Sequence, residues 1–418
     1  MIKAGALLYA MFLVVVIAII TSSFILVDYF NNAYITRAIK EETAYRNLHS
    51  GMNYGQVNYQ HLPINTKHKL DLFDDGSEVI LYKQSWGAFY RLTASTDGNK
   101  GEISKSALLG SDYRHEEQVA IYLLDQNKPL SLTGKTDIKG ICYLPKKGVE
   151  RAYIEGKSFS GATLINGTKK TSANKLPEIN TELIRENEQW LHQAPSLADS
   201  IMDYELFLET DTVRNGFGNR TLTLYSPHTI VVENKTIRGN IILKSERNII
   251  IRNTARMEDV LCYARGIQVE EDCVLNGQFF ATDSIVTENN CRFVYPSVIA
   301  LLNSGKNDQK KITLGEKNVL KGSVFLNCNQ YDHKNRAALS IGEGSEIMGQ
   351  VYSSDQLELR GNVSGGLTCR SFLLRTPSSV YENHLMDVTI DRSALPDDFV
   401  GVALTETTTN YRIIKWLD

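Results

Sequence analysis

The chain has 418 residues, long enough for two or three domains of ordinary size. Its 45 basic and 48 acidic residues leave a net charge of -3, which excludes the basic surface that neutralises nucleic-acid phosphates. With 29 glycines, 20 tyrosines, only 9 prolines and 42% hydrophobic residues, it reads as a folded chain rich in strands and turns, not a disordered one.

The first element is apolar. Residues 4–27 carry no charge, and about 20 apolar residues suffice to cross a hydrocarbon core. The apolar region of a cleaved secretory signal runs to only about 7 to 15 residues, so this stretch reads as a single membrane span. Lys3 lies on the short side and Asp28 opens the other, which places the N-terminus in the cytoplasm and the bulk of the chain across the membrane. Phe30, Tyr34, Ala38, Tyr45, Leu48 and Met52 recur at helical spacing, with Arg37 and Glu41, and Glu42 and Arg46, paired four apart. The helix is therefore expected from about residue 6 to residue 50, with Gly51 as its stop.

Asp74-Asp75-Gly76 is a turn by composition. Apolar runs at 79–82, 88–92, 101–109 and 119–124, the first two flanking Trp86-Gly87, predict an antiparallel meander. Farther on, a helix capped at Asn180 or Thr181 and ending before Pro195, then a shorter one over 196–207, predict a helical insertion at 177–208.

The N-terminal pattern resembles that of type IV pilin-like proteins, in particular minor pilins and minor pseudopilins. Met1-Ile2-Lys3-Ala4-Gly5, then Ala6-Leu7-Leu8, and the amphipathic stretch 37–51 carry the resemblance, over about 50 of the 418 residues. It implies cleavage by a prepilin peptidase after Gly5, leaving Ala6 as the mature N-terminus. Most such proteins carry a glutamate where this chain has Ala10, and that departure points to a minor or tip component rather than a repeating subunit. A long helix followed by a small antiparallel sheet is also the order of elements in a pilin fold.

The second half repeats itself. Aligned on glycine, Thr236-Ile-Arg-Gly239-Asn-Ile-Ile, Val274-Leu-Asn-Gly277-Gln-Phe-Phe, Val319-Leu-Lys-Gly322-Ser-Val-Phe and Glu346-Ile-Met-Gly349-Gln-Val-Tyr match one another, with a looser copy at Gly365. Asp137-Ile-Lys-Gly140-Ile-Cys-Tyr and Ser158-Phe-Ser-Gly161-Ala-Thr-Leu extend the series upstream. Short apolar strands ended by glycine or asparagine cannot bury a face alone and must stack as a solenoid, here a short-coil parallel β-helix with these seven glycines at its corners. Polar stretches at 303–311 and 327–336 read as loops on one face. The phrases 314–325 and 341–352 resemble coils of bactofilins, polymer-forming bacterial β-helices, a likeness that implies the fold and little else.

Little catalytic chemistry is legible. The eight histidines form no ligand pattern, no nucleophile elbow or phosphate loop is present, and no metal or cofactor is expected. The six cysteines, Cys142, Cys262, Cys273, Cys291, Cys328 and Cys369, include no Cys-x-x-Cys pair and read as thiols packed like small hydrophobes. Glu270, Glu271, Asp272, Lys311 and Arg336 are the candidates for a polysaccharide-cleaving cluster, although charges at coil corners are what a soluble solenoid needs anyway. Tyr331, Tyr352 and Trp416 are candidates for stacking on sugars, without an evident aromatic row.

The chain is therefore expected to be mainly β. Residues 1–53 form the transmembrane and amphipathic helix, 54–130 a pilin-like antiparallel region, 131–395 the β-helix with its insertion, and 396–418 a segment capping the solenoid. The expected role is non-enzymatic: a single-pass protein of the bacterial inner membrane, periplasmic in bulk, serving a type IV pilus or secretion system. Its expected partners are the lipid bilayer and other membrane or pilin-like proteins. The alternative is a membrane-tethered β-helix that binds or cleaves cell-envelope polysaccharide.

Overall fold

The structure, a computed structural model, describes residues 4–99, 101–113, 117–193, 200–303, 310–328, 336–405 and 410–417. It is mainly β, with one long apolar N-terminal helix, and it divides into two compact units, one of Met1–Lys83 with Leu92–Lys105 and one of Gln84–Arg91 with Ser106–Asp418.

In the first unit, helix α1 runs without a break over Ala4–Val57. Fifty-four residues span about 80 Å at 1.5 Å each. Gly51 does not stop the helix; its missing side chain admits the sheet instead. A methyl there would come 2.6 Å from Val79 Cγ1, and one at Gly55 would come 2.7 Å from Leu92 Cδ2. Ala44, Leu48 and Met52 are buried at this level. Strand β1 (Lys67–Asp71) pairs antiparallel with β2 (Glu78–Trp86), and the sheet continues through β3 (Phe89–Gly98) and β4 (Gly101–Asp112). Beyond the helix end, Lys83 Nζ donates to the carbonyls of Tyr59 and Leu62 at 3.2 Å each and lies 3.9 Å from the Tyr59 ring centroid. That tie satisfies a buried ammonium.

The second unit is a closed, barrel-like sheet of parallel strands whose registers fit a β-helix. In the winding 346–359 two ladders follow one another, 346–353 and 356–359, and the neighbouring windings pair with it residue on residue. Ile347, Val351, Leu357 and Leu359 point into the core, where burial of such side chains provides about 1.5–3 kcal/mol each.

The order of the windings differs from the order of the sequence. Strand β5 (Val119–Leu123), expected in the meander, pairs in parallel with Asn362–Arg375 on one side and β8 (Ile141–Leu144) on the other. Strand β6 (Leu130–Thr133) pairs with His384–Met386, and β7 (Asp137–Lys139) with Thr389–Asp391, which itself stacks on Val363 and Ser364. Residues 119–171 thus extend the stack beyond residue 375, through a winding built from both arms of the chain. The physical reason is the open edge that Asn362–Arg375 would otherwise present.

From Lys169–Thr171, the last ladder at that end, the chain must return to the opposite end. It does so along the capped helix α2 (Thr181–His192), rejoins the stack at Ser200–Met202, which pairs in parallel with Leu222–Leu224, and passes through α3 (Tyr204–Glu209) to Thr212–Asn215. The expected helical insertion is therefore a return strap lying along the sheet, not a decoration between adjacent coils. Asn180 caps α2 with its side-chain oxygen on the amides of Glu182 and Leu183. The start of the second expected helix lies outside the described residues. Phe207 of α3 is buried in the core near one end of the stack, and at the other the edge ladder carries exposed Lys169 and Lys170, charges that discourage further strand pairing.

The C-terminal segment does not cap the solenoid. Val400–Gly401 and Tyr411–Leu417 both pair antiparallel with residues 106–112 of β4, giving that otherwise bare edge its hydrogen-bond partners.

Candidate functional site

α1 presents the plainest functional surface. The apolar side chains from Leu7 to Ile39 are almost all exposed, Leu8 at 71% and Phe24 at 71% among them, and the helix is long and apolar enough to cross a membrane. Gly5 and Ala6 lie in its exposed first turns with nothing within 4 Å of the Gly5 Cβ position; Met1–Lys3 lie outside the described residues. Ala10 is exposed on the same helix.

Of the seven predicted corner glycines, all but Gly161 fall on one column of the windings. Gly322, Gly349 and Gly365 stack on one another in successive windings at φ +146°, +146° and +151°, and a methyl on any of them would sit on the carbonyl oxygen of the winding before. Gly239 stands in the same column on Asn215, and Gly277 follows beside Val260, without a left-handed backbone. Asp259, at φ +60°, takes the left-handed place opposite Gly239. Beyond Gly365 the column passes through Arg392 to Gly140. Gly161 does not belong to it: it lies in the irregular segment between Lys157–Ser158 and Lys169–Thr171, and Gly167 takes its place, stacked on Gly140. The Ser-Phe-Ser-Gly phrase matched locally, but register sets the column.

The charged candidates are divided. Glu270 is ion-paired with Arg252, and Asp272 forms the next left-handed corner at φ +62°. The Glu271 amide donates to Glu288 Oε2 at 3.3 Å. Lys311 and Arg336 stand near the opposite end of the four-residue ladder that runs from Lys311–Ala338 to Leu314–Ile341, about 10 Å away at strand rise. Arg336 is also occupied, donating to Asp355 Oδ1 at 2.7 Å and to the Ser371 hydroxyl at 3.3 Å. The six thiols are free and five are buried. Cys273 and Cys291 stack in successive windings, and the Cys291 thiol donates to the Glu270 carbonyl at 3.0 Å. No metal-binding group of His, Cys, Asp or Glu is found among the described residues.

An aromatic row does exist. The parallel registers align Tyr225, Lys244, Tyr263, Phe280, Ala300, Phe325 and Tyr352 on one outward column, and Thr368, Tyr122 and Tyr143 continue it. Its signal was in the repeat, since Phe280, Phe325, Tyr352 and Tyr143 each stand three residues after a column glycine. The chain covers most of this row itself. Ile179, Leu183 and Ile184 pack on Tyr263, Phe280 and Phe325, Tyr263 stacks on Trp190 with centroids 5.9 Å apart, and Tyr122 Oη accepts from the Ala173 amide at 3.2 Å. Tyr352 is only 6% exposed, its hydroxyl donates to the Pro177 carbonyl at 3.5 Å, and burial pushes its pKa up to about 12. Trp416, at 43% exposure, stands apart on the C-terminal strand, and Tyr331 lies outside the described residues.

The outward column beside the row grips two more segments. The Gln278 amide accepts from the Ala88 N–H at 2.7 Å and donates to the Trp86 carbonyl at 3.0 Å. Gln350 does the same for the two backbone groups of Val402, at 2.7 and 3.0 Å.

A cleft of about 470 Å³ lies between the strap and the sheet. Leu176, Pro177 and Ile184 supply an apolar wall; Glu178, Arg185 and Glu188 come from the strap and α2, and Tyr352, Ser354, Asp355 and Arg370 from the windings. Two of its five charges have ion-pair partners, and a third donates to a carbonyl. Arg185 lies 3.1 Å from Glu186, Asp355 holds Arg336, and Arg370 Nε donates to the Ser354 carbonyl at 3.1 Å. Glu188 Oε1 is buried, closed to the cleft, and has no hydrogen-bond partner.

Comparison with protein families, with curated proteins and with solved structures gives no match.

Proposed function

We propose that the chain is a non-enzymatic envelope protein of bacterial type, anchored in the inner membrane by α1 with its N-terminus in the cytoplasm and its β-rich bulk in the periplasm. One observation carries this reading. A single helix is uncharged over residues 4–27 and bare over 5–27, while farther along the same element Ala44, Leu48 and Met52 are buried and Gly51 and Gly55 lie against the antiparallel strands. That one element is both membrane span and domain spine, the design the minor-pilin resemblance implies. In this reading the exposed helix packs laterally against other membrane or pilin-like helices of a pilus or secretion machine, and Ala10 fits a minor or tip position. Division of the charged candidates between two ends of a ladder offers a polysaccharide-cleaving reading no support.

The test is the mass of the N-terminal peptide of protein purified from its native membrane. A chain that begins at Ala6 is expected. Retention of Met1 or Ile2 would remove the processing step and leave a plain signal anchor.

A further inference from the structure

Anchoring makes no use of the stacked thiols Cys273 and Cys291. Both occupy the corner position just before a winding strand, and backbone hydrogen bonds carry that position from winding to winding. The Arg292 amide donates to the Cys273 carbonyl at 2.8 Å and the Val319 amide to the Cys291 carbonyl at 2.9 Å. Elsewhere in the same file stand Ala255, Asn318, Ser345 and Gly361, so a methyl is enough to fill this corner and packing alone does not call for two successive thiols. Among the described residues, none of the other four cysteines has a cysteine in register with it. In-register neighbours on adjacent strands are about 4.8 Å apart, inside the Cα separation of about 4.4–6.8 Å that a disulfide spans. Both side chains are fully buried in one core, and the two thiols hydrogen-bond each other. That bond, with the Cys273 amide adding to it, holds the Cys291 pKa below the usual thiol value and raises that of Cys273, so Cys291 ionises first.

We propose that Cys273 and Cys291 are a redox site, closed to a disulfide by a disulfide-bearing oxidant while the chain folds. The Cys291 thiolate attacks one sulfur of the oxidant and expels a thiolate. The Cys273 thiolate then attacks the Cys291 sulfur of the mixed disulfide and expels the second. The two protons pass to the expelled thiolates, so the oxidant's disulfide is reduced to two thiols as the new one forms. Burial of both sulfurs places the reaction before the neighbouring windings have docked. The product staples the coil 274–290, which carries Gln278 and its grip on Trp86 and Ala88. The site does not depend on how the N-terminus is processed, and either reading can fail without the other.

The experiment is cell-free synthesis of the full chain into detergent micelles, once with oxidised glutathione and once with a reductant, then alkylation in denaturant and tryptic mapping of the monodisperse fraction. Residues 266–292 form one tryptic peptide that holds these two cysteines and no other. After oxidation this peptide should be unalkylated and two hydrogens lighter than the dithiol; after reduction it should be alkylated at both cysteines. The oxidised protein should also unfold at a higher urea concentration than the reduced one, because the closed loop restricts the unfolded chain. That difference should vanish in Cys273→Ala, a change the corner accepts at Ala255. Alkylation of both cysteines after oxidation overturns the proposal, as does a link from either one to a different cysteine. A link that leaves the urea midpoint unmoved would overturn the stapling of the coil.

Discussion

The hydroxyl of Tyr263 donates to Asn187 Oδ1 at 2.8 Å, and Asn187 Nδ2 in turn donates to the carbonyls of Gly87 at 2.9 Å and Leu183 at 2.8 Å. Both side chains are buried, at 1% exposure each. Through these two residues the aromatic row, the return strap and the turn between β2 and β3 share one hydrogen-bond network. Tyr263→Phe keeps the ring stacked on Trp190 and Phe280 but leaves a buried amide oxygen without a donor, at a cost of about 1–3 kcal/mol. Asn187→Ala removes all three bonds and should cost more. The check is hydrogen exchange over 181–192 in the detergent-solubilised protein, where faster exchange in both variants is expected. Unchanged protection in Asn187→Ala would mean that apolar packing alone holds α2.

The glycine column makes a sharper prediction, because its strain is steric and local. At Gly322 and Gly349 a side chain meets both a left-handed backbone and a carbonyl oxygen of the preceding winding. Gly322→Ala or Gly349→Ala should therefore cost about 3 kcal/mol or more, or prevent folding. Gly218 is the control: it has no positive φ, and nothing lies within 4 Å of its Cβ position. Gly218→Ala should leave the urea midpoint unchanged or slightly raised. Equal tolerance at all three positions would contradict the stacked register.

The same column shows how far the sequence alone could be read. Close approach of backbones demands glycine, so Gly322, Gly349 and Gly365 were legible as a repeat, and the third residue after Gly140, Gly277, Gly322 and Gly349 is an aromatic member of the row. Which winding lies next to which was not legible. Pairing of Leu367 with Ile121 and of Ile390 with Ile138 joins residues some 250 apart through strands of ordinary composition, and nothing local distinguishes that choice from a stack in chain order. For the same reason Gly161 stood in for Gly167, and Tyr411–Leu417, a plausible cap by pattern, belongs to the edge of β4. The cleft was invisible because its two walls, at 176–188 and at 327–370, meet only through the return of the chain.

Lys244 yields a prediction in pH. It stands in the aromatic row between Tyr225 and Tyr263 and is only 4% exposed, and burial lowers its pKa to about 8, with Glu246 opposing the shift weakly. Its value in the unfolded chain is about 10.4. Below pH 8 the amine is charged in both states and the folded state bears the desolvation; between pH 8 and 10.4 the unfolded chain binds the extra proton, so stability at this site rises with pH. Lys244→Met, which keeps the length of the side chain, should raise stability by about 1–3 kcal/mol at pH 7. The gain should shrink steadily above pH 8 and be largely gone near pH 10.5. Urea unfolding of both proteins at pH 7 and pH 10 measures it, and a gain independent of pH would assign the effect to packing against the two tyrosines instead of to a buried charge.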